Sequence, residues 1–510
     1  INTDINDLAP VYGLSGYNGR FSQAGAAPDA NIFNLADFFV GAQARYQLTP
    51  FRVLKYRQRM HFGYLQDDWK VNSKLTLNLG LRYEYATPQW ERDNRLGNFD
   101  PATNSLFFAR DGSIQDRSTI RPDRNNWGPR VGFAYQAMKK TVLRAGYGVS
   151  YIHFNRMGGE NILGFTGPFV FQSTRTQTPA GVSNGSATCS AGQDFTTCFQ
   201  PTQFGFPAGF NDESQYSPSR ARDNYTPVDT RTGYVESWHF TIQRQFARDF
   251  AIDFAYVGNR GRNQLILSDF NQPLPNQPGQ NIALNARRPI PGFQEIQISF
   301  DGGKTDYHSF QLKAEKKFSG GFYFINSFTW SKAIDNAPGH LETFNGDSSR
   351  INWFDMASER GLSSFDTPFN NVTGLIWDLP YGRGRRWGNG SNPVVNALIG
   401  GWRTTLINTA RSGFPLHIFY GPPAQFQACG GCRHRPNFVG GSLYGDRDDP
   451  NAFLNRAAFA IPTDPSQPFG NLGRNVARSS DFWTADVGIF KEFPLPREGA
   501  RVEFRSEFFN

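Results

Sequence analysis

The segment Leu75 to Tyr85, reading LTLNLGLRYEY, constrains this fold more than any other stretch. Leu75, Leu77, Leu79, Leu81, Tyr83 and Tyr85 fall on one face of an extended chain; Thr76, Asn78, Gly80, Arg82 and Glu84 fall on the other. Unbroken alternation of period two marks a β-strand with one apolar and one polar face. Its length suits the roughly 9–11 residues that a tilted strand needs to cross a bilayer. An ordinary soluble strand is about half as long. The two tyrosines gather at one end, where an interfacial aromatic girdle belongs.

Similar segments recur in pairs joined by short turns. Tyr56–Val71 turns at NSK into the leucine strand, and Pro129–Gln136 turns at AMKK into Thr141–His153. Val235–Phe246 turns at ARD into Phe250–Val257, and Tyr307–Phe318 at SGG into Phe322–Ser331. Phe369–Leu379 faces Trp402–Ala410 across a longer connection, and Trp483–Phe493 turns at PLPREG into Arg501–Phe509. Between the pairs run long connections: 86–128, 154–234, 258–306, 332–368 and 411–482. Compact soluble domains rarely hold such loops. Short turns on one side and long loops on the other are the layout of an outer-membrane barrel. A soluble propeller or sandwich would space its turns more evenly.

The fold expected is therefore all-β: a partial antiparallel transmembrane barrel with long extracellular loops, spanning residues 1–510. Leu77, Leu79, Leu81, Leu143, Tyr147, Phe254 and Phe324 are expected to face lipid. Asn78, Arg82, Glu84 and Arg144 are expected to face the lumen, because a charge at mid-depth on the lipid side costs roughly 2–4 kcal/mol. Phe293–Phe300 reads as loop structure above the membrane, and Ile32–Gln47 as one further strand. That makes about thirteen strands, an odd number where bacterial single-chain barrels use an even one. With no start signal at INTDINDLAP and a chain stopping inside VEFRSEFFN, a fragment of a larger barrel is expected.

Composition agrees. Aromatic residues make up 15% of the 510 residues, charged residues only 19%, and methionine and cysteine are scarce at 4 each. That excludes intrinsic disorder, and no apolar run reaches the roughly 18–20 residues of a membrane helix. Lys and Arg number 52 against 44 Asp and Glu, a diffuse excess. The densest basic patch, Arg383–Arg386, is short and broken by glycine, so no nucleic-acid partner is expected.

No nucleophile elbow, HExxH or phosphate-binding loop occurs, and the seven histidines form no catalytic constellation. The chain reads as a non-enzyme without cofactor or metal. In an oxidising surface compartment Cys189 is expected to pair with Cys198, and Cys429 with Cys432, as local loop disulfides. The CGGC motif with nearby His434 lacks the further ligands of a zinc site. Asp446–Asp449 lacks the spaced later ligands of a calcium loop. Tyr216, Tyr225, Phe344, Trp353 and Phe354 are loop aromatics that would stack on flat ligands or pack the loops together.

The stretch FGYLQDDWKVNSKLTLNLGLRYEY (Phe62–Tyr85) resembles a hairpin of TonB-dependent outer-membrane receptors, and most nearly the large Oar-like group. YVESWHFTIQRQF, FTWSKAID, ERGLSSFD, LPYGRGR, RPNFVG, FGNLGRN and VEFRSEFFN continue the resemblance in order along most of the chain. The resemblance implies a receptor in the outer-membrane lipid that takes up a large or scarce ligand, such as an oligosaccharide, peptide or metal chelate. It also implies energy from the TonB–ExbB–ExbD complex through an N-terminal plug and TonB box that this sequence lacks. The alternatives are an Oar-like surface protein for adhesion or envelope organisation, and a passive porin.

Overall fold

The computed structural model describes residues 2–4, 11–22, 31–50, 52–153, 162–177, 198–340, 343–495 and 500–509. Its frame is a wall of long antiparallel strands. These are Met60–Lys70 (β1), Leu75–Ala86 (β2), Trp127–Met138 (β3), Thr141–Ile152 (β4), Gly233–Ala247 (β5) and Phe250–Asp269 (β6). They continue as Ile296–Ser319 (β7), Phe322–Asp335 (β8), Phe369–Asp378 (β9), Trp402–Arg411 (β10), Phe482–Pro494 (β11) and Arg501–Phe508 (β12). Each pairs with its neighbour in chain order, so the wall runs from β1 to β12 without a crossover. Among the described residues no ladder joins β1 to β12, and each edge is paired on one side only.

The short turns follow from their residues. Asn72 closes the β1–β2 turn by accepting from the amides of Lys74 and Leu75, at 2.8 and 3.0 Å. At the β7–β8 turn Gly320 and Gly321 take φ of +58° and +78°, the left-handed pair that matches hairpin twist. The β9–β10 connection instead holds a short helix, Pro393–Ile399, capped by Asn392 with proline at its first turn.

Register carries the alternation from strand to strand. Leu77 pairs with Phe133, Phe133 with Ala145, Ala145 with Phe240, and Phe240 with Tyr256. Tyr256 then pairs with Phe310, Phe310 with Trp330, and Trp330 with Phe369. This row of apolar side chains thus runs across one face from β2 to β9. All seven residues expected to face lipid lie on that face, because each shares strand parity with a member of this row. Asn78, Arg82, Glu84 and Arg144 stand on the opposite face.

Four expectations need correction. Ile32–Gln47 is not a strand: Asn31–Phe39 is a helix, and Arg45–Leu48 joins a separate small sheet with Leu14–Gly16 and Ser173–Thr176. Ile32, Leu35, Ala36 and Phe39 recur at i, i+3, i+4 and i+7, the spacing of a helix rather than of a strand. The wall accordingly has twelve strands rather than thirteen. Tyr56–Val71 is likewise split, since Val53–Arg57 pairs with Asn2–Asp4 and Trp90–Glu91 before β1 begins at Met60. Finally, Ile296–Phe300 is no separate loop structure but the distal end of β7, laddered to the distal end of β6.

β6 and β7 hold 20 and 24 residues, far more than a crossing needs. Their surplus rises into a crown built by the long connections. Short strands at Asp223–Tyr225, Arg350–Ile351 and Gly361–Leu362 add to the wall there. Two apolar clusters stabilise the crown. Leu54, Tyr56, Leu96, Ala109, Ile120, Leu163 and Val170 form one; Ile266, Ala337 and Ile351 form the other, with Phe300 against it. The described parts of the long loops form a folded layer with its own cores.

Candidate functional site

Two features stand out: a charged lock inside the crown, and a recess where the crown meets the polar face of the wall. The lock centres on Arg474, whose side chain is about 1% exposed. Its guanidinium binds both Asp347 and Asp335, the first through Nε at 3.1 and 3.0 Å and also through Nη2. Ser364 donates to Asp347 at 2.8 Å, and Asn475 donates to the same carboxylate at 3.1 Å. Beside it Arg435 pairs with Glu359 at 2.7 Å, and Arg478 with Asp366. FTWSKAID, ERGLSSFD, RPNFVG and FGNLGRN, distant in sequence, therefore meet in one buried network.

Burial pushes Asp347 upward, but the hydrogen bonds and charge of Arg474 outweigh it and hold that carboxyl below the usual range. Burial wins at Asp335, which is raised despite Arg474. His417, accepting or donating at Asn475 over 3.1 Å, is pushed by burial down to about 4 and stays neutral.

The recess has a volume of about 250 Å³ and an apolar floor that includes Ile152, Ile266 and Ala337, rimmed by Asp123, His153 and His340. Two expected lumen residues are joined at its edge. Glu84, buried, bonds Arg82 at 2.9 Å and His153 at 3.0 Å, while the Phe62 ring stacks on His153 at 5.5 Å. His153 was not singled out from sequence: as the last residue of a strand Thr141–His153 it would share the apolar face of Leu143, whereas β4 ends at Ile152 and His153 meets Glu84. Asn78 and Arg144 lie further along the same face, Asn78 bonded to Asp68 of β1. There a second groove of about 390 Å³ opens over Gly80, Gly132, Gly146 and Gly148. A Cβ on Gly146 would come within 2.6 Å of the His239 ring, so glycine keeps this groove open.

The loop aromatics are mostly engaged with one another. Tyr225 packs on Phe99 and Phe270, Trp353 on Phe270 and Phe300, and Phe344 on Phe365 and Phe414. Tyr216 packs edge-on against Phe171 and donates to Asp223 at 2.7 Å. Phe354 keeps half of its surface exposed. Asp223 is fully buried, and burial raises its carboxyl to about 7.

Cys429 and Cys432 are disulfide-bonded. Their sulfurs and His434 lie within 4.8 Å of one another, but bonded sulfurs are not thiolate ligands. His434 stacks on Phe469 at 4.7 Å, and burial lowers it to about 4. Cys198 is also disulfide-bonded, while Cys189 lies outside the described residues. Asp446 and Asp449 spend their carboxylates on amides of their own turn.

The whole chain, residues 1–510, matches the family described as outer membrane beta barrel domain. The chain belongs to that family. This barrel domain accordingly resides in the bacterial outer membrane. No curated protein sequence matches it. Among solved structures it is similar to FpvA of P. aeruginosa in complex with a heterologous pyoverdine and iron, at 7% identity and a TM-score of 0.38 over 87% of this chain and 34% of that one. The outer membrane transporter YddB of Escherichia coli gives 11% identity and 0.39, over 88% and 44%. The siderophore receptor PiuA of Acinetobacter baumannii gives 8% and 0.39, over 91% and 39%. The barrel domain thus spans less than half the length of each.

Proposed function

We propose that this barrel domain is part of a TonB-dependent receptor of the Oar-like group, importing a large or scarce ligand across the outer membrane. The observation that carries this reading is the recess between a rigidly locked crown and the lumen face. A passive pore has no need of a crown with its own apolar cores, and a purely adhesive surface has no need of a lumen-side pocket. The ligand would be an oligosaccharide, peptide or metal chelate, met first by the crown and then by the rim of Asp123, His153 and His340. Glu84 and Arg82 orient His153 and hold it against the recess, a positioning role rather than catalysis. Plug and TonB box would be supplied by sequence outside this domain, and TonB–ExbB–ExbD by the inner membrane.

Uptake assays on a deletion strain, supplied in turn with labelled oligosaccharides, peptides and ferric chelates, test this. The expected result is loss of uptake for one class, rescue by the wild-type gene, and collapse when an uncoupler removes the proton-motive force. Uptake indifferent to the uncoupler would make it a porin. Normal uptake of every class with lost surface attachment would make it an adhesin.

A further inference from the structure

The lipid-facing side of β8, β9 and β10 breaks its own rule at mid-height. Asn326 pairs in register with Thr373, and Thr373 with Asn408, so three adjacent strands place polar side chains in one row. Asn371 joins them one step along β9. Aromatic residues bound the row at both ends of the strands, Trp330 and Phe369 on one side and Trp377 and Trp402 on the other, so it sits between the two girdles. The same strands turn Ile325, Val372 and Ile407 to the lumen, and Ile407 is 57% exposed. The exchange of polar and apolar belongs to this sector, not to one stray residue.

The side chains are partly paired already. Asn326 donates to Asn371 Oδ1 at 2.9 Å and Thr373 Oγ1 at 2.8 Å, and Asn408 donates to the Thr484 carbonyl at 2.9 Å. The Oδ1 atoms of Asn326 and Asn408 accept no hydrogen bond among the described residues. Acyl chains offer none at this depth, and polar groups facing hydrocarbon are costly. A lateral protein partner must therefore present hydrogen-bonding groups at the same depth.

We infer that this patch is a lateral interface with a second copy of the chain. A copy related by a two-fold axis along the membrane normal brings the same amides to the same depth automatically. Amides both donate and accept, so the patch complements itself, and its neutrality sets no like charges against each other.

The test is cysteine crosslinking of the protein in its native outer membrane. A Leu406→Cys substitution places a thiol beside the patch, and no free cysteine competes among the described residues. Oxidation should give a covalent homodimer. Adding Asn326→Leu, Asn371→Leu and Asn408→Leu should lower its yield by about tenfold, as expected for losing a small set of intramembrane hydrogen bonds. The lumen-facing Asn370→Leu should leave it unchanged. Heat-modifiable migration reports whether each variant is assembled; if the triple variant is not, Asn408→Ala alone should still reduce the yield. Absence of a dimer in the wild-type background, crosslinking to a different protein, or an undiminished dimer in assembled variants would overturn the inference.

Discussion

Arg474 shows how one side chain can fix several loops. It satisfies two carboxylates donated by segments 127 and 139 residues away, and both are nearly dry. Replacing it with methionine leaves Asp335 and Asp347 buried and mutually repelling, at a cost of about 3–5 kcal/mol typical of a broken buried pair. Denaturant unfolding followed by crown tryptophan fluorescence should shift accordingly, with faster proteolysis between 332 and 368; an unchanged midpoint would remove the lock from the account. Asp223 gives a second residue-scale prediction. Its carboxyl, raised from 3.8 to about 7 by burial, favours the protonated form in the folded crown. The stability it contributes is full below about 4 and is lost as pH rises through about 7. His417 and His434, depressed to about 4, act in the opposite sense, losing stability as pH falls below about 6.5. The difference between wild type and Asp223→Asn isolates the carboxyl: the variant should gain relative stability between pH 5 and pH 8 (roughly the physiological span). A flat difference curve would contradict the burial argument.

Strands were readable and the crown was not, for a physical reason. The alternation of Leu75–Leu81 is a local signal, repeated every second residue, and register then propagates it across the wall. The partners of Arg474 are more than a hundred residues away, and no local pattern announces them. Ile32–Gln47 reads as extended although Ile32, Leu35, Ala36 and Phe39 recur at helical spacing, and His153 reads as the end of a strand although it lies just past β4 against Glu84. The wall's two faces yield a prediction at this scale. Leu79→Arg puts a charge among β2 residues that face lipid and should cost about 2–4 kcal/mol near mid-depth. Asn78→Arg, one residue away, points into the lumen and should be nearly silent. The fraction of heat-modifiable, assembled protein in the outer membrane checks both; equal losses would show that the faces are misassigned.

For the whole molecule the question is how the wall's edges are satisfied. Twelve is an even number, so parity no longer argues for further strands; the unpaired edges of β1 and β12 do. In hydrocarbon each unpaired backbone group costs several kcal/mol, and neither edge is paired on its outer side among the described residues. Two arrangements are possible in principle: β1 closes onto β12, or further strands lie between them. Direct closure would make a twelve-stranded barrel, much narrower than plugged transporters of about 22 strands. We propose the second arrangement, with this domain as one sector of a larger barrel, because an importing receptor needs the wider lumen. Cysteine pairs set between Leu65 or Trp69 of β1 and Phe504 or Phe508 of β12, in the complete gene product assembled in its membrane, distinguish them. If other strands intervene, no combination forms a disulfide under oxidation, while control pairs across the β1–β2 ladder, such as Leu65 with Leu81, form readily. Efficient crosslinking in any β1–β12 register would show the barrel closing on these two strands, and would end the case for a wide, plugged lumen.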